Sequence, residues 1–144
     1  MLPANAPGDG PPIQPRGTAL IGRSQALKVV QQEVEYASRS DAKVLITGAS
    51  GVGKEVVAHL IHQRSRRRHA PMLTINCAAM PDTLLESELF GHARGSFTDA
   101  YRDKRGLFEA ASNGTVFMDE VGEMSLRMQA LLLRFLETGE IQRV

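Results

Sequence analysis

A parallel α/β fold is what this sequence predicts, and two observations carry the prediction. Short apolar runs alternate along the chain with stretches of helical period, the pattern of strands joined by crossover helices. One junction, Gly48 to Lys54, is a glycine-rich turn placed between such a run and such a stretch. Length and composition agree. The 144 residues suit about one domain, and 42% hydrophobic with 23% charged is a globular balance. Seventeen basic residues nearly cancel sixteen acidic ones, so net charge gives no case for a protein that coats nucleic acid or a membrane surface. The lone Cys77 excludes an internal disulfide framework. No apolar run approaches the roughly 20 residues of a membrane-spanning helix, and the amino terminus has no signal-peptide pattern, so a cytoplasmic protein without membrane contact is expected.

Residues 1–18 hold five of the seven prolines and few large apolar side chains, and read as a disordered leader, with a PxxP-type docking segment as the other reading. Order is expected from Ala19. Ser24 can cap a helix to about Ala37, with Leu27, Val30 and Val34 on one face. Lys43 to Thr47 reads as a buried strand, Lys54 to about Arg64 as a helix, and Met72 to Ile75 as a second strand. Asp82 can cap a helix that carries Leu84, Leu85 and Leu89 and stops at Gly91. Residues 91–106 read as a long polar excursion. Thr115 to Met118 is a third buried strand. Ser125 caps a last helix, apolar at Leu126, Leu132, Leu133 and Leu136, which ends at Gly139.

Gly48-Ala49-Ser50-Gly51-Val52-Gly53-Lys54 fits the phosphate-loop pattern G-x-x-x-x-G-K, after a predicted strand and before a predicted helix. Glycines let backbone N–H groups turn inward around phosphate oxygens, the helix terminus adds a favourable dipole, and Lys54 supplies a positive charge. The pattern ordinarily continues with Ser or Thr; here Glu55 follows. A glycine-rich turn without a ligand is the bland alternative. Val116-Phe117-Met118-Asp119-Glu120 then puts two carboxylates at the carboxyl end of an apolar strand, the edge where parallel sheets bind ligands. Asp119 is suited to hold magnesium and Glu120 to act as general base on water.

These and further segments resemble one family, the AAA+ ATPase domain of bacterial enhancer-binding proteins, the NtrC-like activators of sigma-54 RNA polymerase. The resemblance runs from about Leu20 to Val144. Gly48 to Glu55 is similar to the family's GESGTGKE, so Glu55 is its own variant. Ile75 to Ala79 resembles INCAA, Leu84 to His92 resembles LLESELFGHE, and Gly106 to Ala111 with Gly114 to Glu123 resembles GRFEQA…GTLFLDEIGE. The resemblance implies a P-loop NTPase fold with a three-layer parallel sheet and helices on both faces. It implies an ATP and Mg2+ site at Gly48, Ala49, Ser50, Gly51, Val52, Gly53, Lys54 and Glu55, with Ile21 and Gly22 contributing. It makes Asp119 the metal ligand and Glu120 the catalytic base. Asn76 matches the residue that restrains that glutamate, although a strand-end asparagine can also cap its own turn.

The family's sigma-54 contact loop, GAFTGA, aligns with Gly95-Ser96-Phe97-Thr98-Asp99-Ala100. Phe97 and Thr98 are retained; Asp99 replaces glycine and adds a charge and a Cβ. The implied function is the ATPase module of a sigma-54-dependent activator, working in a ring of subunits, with DNA bound through a separate domain. A nucleotide-binding regulatory module without catalysis, or an AAA+ regulator that does not use sigma-54, is the alternative. The family continues beyond the equivalent of Val144 with a sensor strand, arginine fingers, a helical lid and usually a DNA-binding domain. The chain by itself is therefore expected to be marginally stable and deficient in hydrolysis. Of the remaining features, Arg64, Arg66, Arg67 and Arg68 read as a solvated helix end, and His59, His62, His69 and His92 form no ligand pattern with Cys77, itself read as a small buried residue.

Overall fold

Ser24 starts the first helix as its sequence position requires. The computed structural model describes residues 19–95, 102–141 and 143, so the leader and residues 96–100 of the proposed contact loop lie outside the described residues. In helix α1 (Gln25–Ser38), the Ser24 hydroxyl accepts from the Leu27 N–H at 3.2 Å, satisfying one orphan donor. Val34, on the predicted face, is 1% exposed. Helix α2 (Lys54–Arg64) is preceded by Gly53, whose φ of 99° is left-handed; it packs on α1, and its Ala58 and Leu60 are buried.

Strand β1 (Met72–Asn76) follows, and then helix α3 (Asp82–Phe90). Asp82 was expected as the cap of α3, but Pro81 takes that position: its carbonyl accepts from the Leu84 and Leu85 N–H groups. Asp82 is the first helical residue, where its charge suits the helix dipole, and its carboxylate accepts from the Ser125 hydroxyl. The helix stops at Gly91, as predicted.

The excursion from residue 91 to 106 is not wholly irregular. Strands β2 (Gly91–His92) and β3 (Lys104–Arg105) pair antiparallel and close its base. A Cβ on Gly91 would strike the Lys104 carbonyl, and one on Gly106 would strike the Phe90 and Leu89 backbone, so two main chains cross here at a distance only glycine permits. One-turn helix α4 (Leu107–Ala110) leads to strand β4 (Thr115–Asp119), a 3-10 turn (Val121–Glu123) and helix α5 (Leu126–Thr138). Ser125 caps α5 by accepting from Met128 N–H, and Gly139, with φ of 72°, ends it.

β1 and β4 run parallel in the register Met72↔Thr115 to Asn76↔Asp119. Below them α3 and α5 bury Leu85, Leu89 and Met128 completely, with Ile75, Cys77, Phe90 and Met124 around them. Phe108 stacks on Phe135 at 4.1 Å between ring centroids, and both meet Phe90. Each fully buried leucine contributes ~1.5–3 kcal/mol by leaving water.

Two expectations need correction. Residues 43–47 form no regular element and belong to no ladder among the described residues; Val44 is 48% and Leu45 76% exposed, so the segment is not a buried strand. An apolar run becomes a strand only when a neighbour supplies hydrogen bonds, and among the described residues β1 and β4 pair only with each other. Leu126 and Leu133 do not face the core either; they are 83% and 56% exposed. The buried face of α5 is Met128, Leu131, Leu132 and Phe135, which extends the predicted stripe to methionine and phenylalanine. Among the described residues, no helix is long and apolar enough to cross a membrane.

Candidate functional site

The glycine-rich loop and the acidic strand end, 65 residues apart in sequence, meet in space. Ser50, Gly51, Gly53, Lys54, Glu55 and Val56 face Asp119 and Glu120 across a cleft of about 270 Å³. A larger groove of about 750 Å³ between α3 and α5 contains none of these residues.

The loop owes its shape to its glycines. Gly51 and Gly53 have φ of 77° and 99°, left-handed values that L side chains avoid, and nothing lies within 4 Å of where a Gly51 Cβ would stand. The first α2 amides therefore follow a turn opened by two left-handed glycines, with the positive end of the helix dipole at that terminus. Lys54 bends back over the loop, donating to the carbonyls of Gly48 and Ala49 at 3.3 Å each. Glu55 points along the first turn toward His59, 3.7 Å away.

Strand pairing fixes the acids. The Asp119 carbonyl accepts from Cys77 N–H at 3.0 Å, which extends the β1–β4 register by one step. One carboxylate oxygen of Asp119 accepts from the Glu120 N–H at 3.0 Å, leaving its other oxygen for a ligand. Burial, and then the Asp119 charge, pushes the Cys77 thiol up to about 11, so this cysteine stays protonated and is packing rather than nucleophile. Glu120 has φ of 54° and ψ of 42°. Left-handed backbone at a residue with a Cβ costs roughly 1–3 kcal/mol and is concentrated at functional sites. Here it turns the chain sharply off the strand, so that adjacent carboxylates both line the cleft.

The other predicted residues divide. Gly48, Ala49 and Val52 shape the turn without lining the cleft, Val52 N–H donating to the Ala49 carbonyl. Asn76 sits opposite Asp119 in register, but its amide oxygen accepts from Ala78 N–H at 2.9 Å, capping its own turn. Ile21 is 94% exposed, and neither it nor Gly22 lines the cleft. Gly95 has φ of 84°, while Ser96, Phe97, Thr98, Asp99 and Ala100 lie outside the described residues.

Sequence reasoning missed the frame beneath that loop. The Asp103 carboxylate accepts from Arg94 N–H at 2.7 Å, Lys104 pairs with Glu88 at 2.5 Å, and the buried Ser87 hydroxyl meets His92 Nδ1 at 2.6 Å. It also missed Val56 in the cleft wall, for which only helical spacing from Val52 gave a signal.

The donor set suits one class of ion. Among the described residues, no three His, Cys, Asp or Glu side chains converge, so a cation here would have one or two carboxylates and would complete its shell with water and phosphate oxygens. That is the coordination Mg2+ prefers. A glycine-opened turn at a helix start, facing two acids at the end of a parallel strand, defines a nucleotide-site architecture of the P-loop NTPase class.

Known proteins carry the same frame. Residues 20–144 match the family described as the sigma-54 interaction domain, and the chain belongs to that family. The nitric oxide reductase transcription regulator NorR2 of Cupriavidus necator is 52% identical over 128 residues, covering 89% of this chain and 25% of its own length. The anaerobic nitric oxide reductase transcription regulator NorR of Escherichia coli is 49% identical over 139 residues, covering 96% and 28%. The chain thus spans about a quarter of the length of these relatives. Among solved structures, NtrX from Brucella abortus aligns with a TM-score of 0.76 and 35% identity, over 85% of this chain and 27% of that one. The same protein in complex with ATP aligns with a TM-score of 0.76 and 34% identity, over 87% and 26%. The fold is accordingly the AAA+ form of the P-loop NTPase.

Proposed function

We propose that the cleft binds ATP and that the chain is the ATP-dependent module of a sigma-54-dependent transcriptional activator. The observation that carries this is the convergence of Ser50 to Val56 with Asp119 and Glu120. The α2 amides and the Lys54 ammonium hold the outer phosphates. Asp119, through its uncommitted oxygen, holds Mg2+, which when bound neutralises charge on the phosphate oxygens. Glu120 takes the proton of the attacking water. Asn76 exchanges its bond to Ala78 for one to Glu120 and so restrains the base. Gly48, Ala49 and Val52 keep the turn open, Glu55 stands where a hydroxyl is usual, and Ile21 with Gly22 borders the base of the nucleotide.

The segment Gly95 to Ala100 is the contact for sigma-54, and the working form is a ring of subunits that binds DNA through another domain and acts in the cytoplasm. The name of the matched family and the ATP complex of NtrX support this reading. A second reading, a regulator that does not contact sigma-54, rests on Asp99 in place of glycine. Calorimetric titration with ATP and Mg2+ tests the first step: saturable binding that Lys54→Ala weakens is expected, and no binding by the folded chain refutes it. Capture of sigma-54 by the chain with ATP and a transition-state mimic of phosphate, compared with Asp99→Gly, decides between the two readings.

A further inference from the structure

The site has two walls on two different elements, and one side-chain pair joins those elements. α2 carries Lys54 at its first residue; β4 carries Asp119 at its last. His62 lies eight residues down α2, about 12 Å at 1.5 Å per residue. Thr115 lies four residues back along β4, about 13 Å at 3.3 Å per residue. At these matched depths His62 Nδ1 meets Thr115 Oγ1 at 2.9 Å, the one side-chain hydrogen bond between α2 and β4 among the described residues. His62 is 8% exposed.

The Thr115 end is itself anchored. Its N–H donates to the Pro71 carbonyl at 2.9 Å, and the Gly114 carbonyl accepts from Arg67, which also pairs with Asp41 at 3.0 Å. A Cβ on Gly114 would collide with the Pro71 carbonyl, so the start of β4 has no room to slide. Burial, with His59 nearby, holds the imidazole below its ordinary pKa of 6.5 and therefore neutral at neutral pH.

We propose that His62 is a positioning residue for the nucleotide site: by tying α2 to the anchored end of β4, it sets the distance between the phosphate loop and Asp119. This rests on the nucleotide reading above. Helix and strand are stiff along their axes, so a slip at the pin reappears as a slip between Lys54 and Asp119. Phosphate binding by the loop alone tolerates that slip. A Mg2+ shell shared between phosphate and Asp119 does not, because its bond lengths and octahedral geometry are strict.

The test is calorimetry of ADP binding to the whole chain, with Mg2+ and with a chelator, for the unaltered protein, His62→Leu, His62→Asn and Thr115→Val. Asparagine can place an amide atom near the Nδ1 position; leucine cannot hydrogen-bond. Thr115→Val removes the same bond with almost no change of shape and serves if leucine at 62 prevents folding. Losing the tie is expected to cut the affinity gained from Mg2+ by about fivefold, while the metal-free affinity stays within about twofold, and His62→Asn recovers most of the loss. Equal losses with and without metal, no loss in either variant, or no recovery by asparagine would overturn the positioning role. Failure of the unaltered chain to bind any nucleotide would instead overturn the functional reading, and this inference with it.

Discussion

Between Val44 and Val52 the chain shows its side chains to solvent; Leu45 is 76% and Val52 66% exposed, and no ladder bond among the described residues supports the stretch before the loop. Around Leu85, Leu89 and Met128 the opposite holds. Three side chains have no exposure, and Arg127–Glu86 and Ser125–Asp82 bind α5 to α3 from outside. The first region holds the glycine-rich turn of the proposed nucleotide site, and the second holds the buried core. Their separation means that binding and folding should respond to different substitutions.

The widest gap is expected at the core. Leu89→Ala should destabilise the chain by about 2–5 kcal/mol in urea denaturation, because a fully buried leucine leaves a cavity. A loss under 1 kcal/mol, on the order of an exposed site, would erase the contrast. Lys54→Ala should do the reverse, lowering nucleotide affinity by about 10–100-fold in calorimetry. The same variant should shift stability by only about 0.5 kcal/mol or less. Gly106→Ala should cost about 1–3 kcal/mol, since its Cβ has main chain on one side and no flexible group to displace.

Glu120→Gly sharpens the division. It relieves a left-handed backbone and is expected to raise stability by about 1 kcal/mol while removing the carboxylate proposed to accept a proton. A destabilised Glu120→Gly chain would mean that the turn is not strained.

The smallest effect concerns pH. His62 has a depressed pKa in the folded chain, so below its ordinary value of 6.5 the unfolded chain binds a proton that the native one refuses. Its contribution is complete above that pH and fades as pH falls through the lowered value. A thermal midpoint that drops between pH 7 and 5, with a shallower drop in His62→Asn, is the expected result.

What could be read from the sequence follows from the range of the forces involved. The phosphate loop, the caps at Ser24 and Ser125 and the stops at Gly91 and Gly139 were legible because each is decided by residues within a few positions. The acidic strand end was legible because its neighbours in sequence are its neighbours in space. The segment 43–47 was misread because an apolar run does not encode where its hydrogen-bonding partner will be. Asp82 was misread because a residue of capping type followed a proline that occupies the cap itself. The ties Lys104–Glu88, Arg127–Glu86 and His62–Thr115 join residues 16, 41 and 53 positions apart, and nothing local announces them.

The glycine crossing at 91 and 106 leaves one further consequence. Main-chain pairing joins the two stems of the excursion to each other, and the Lys104–Glu88 bridge ties the second stem to α3, so its base is held by residues 88–92 and 104–106. A side chain at either glycine would therefore part the two stems at the point where they leave the helix.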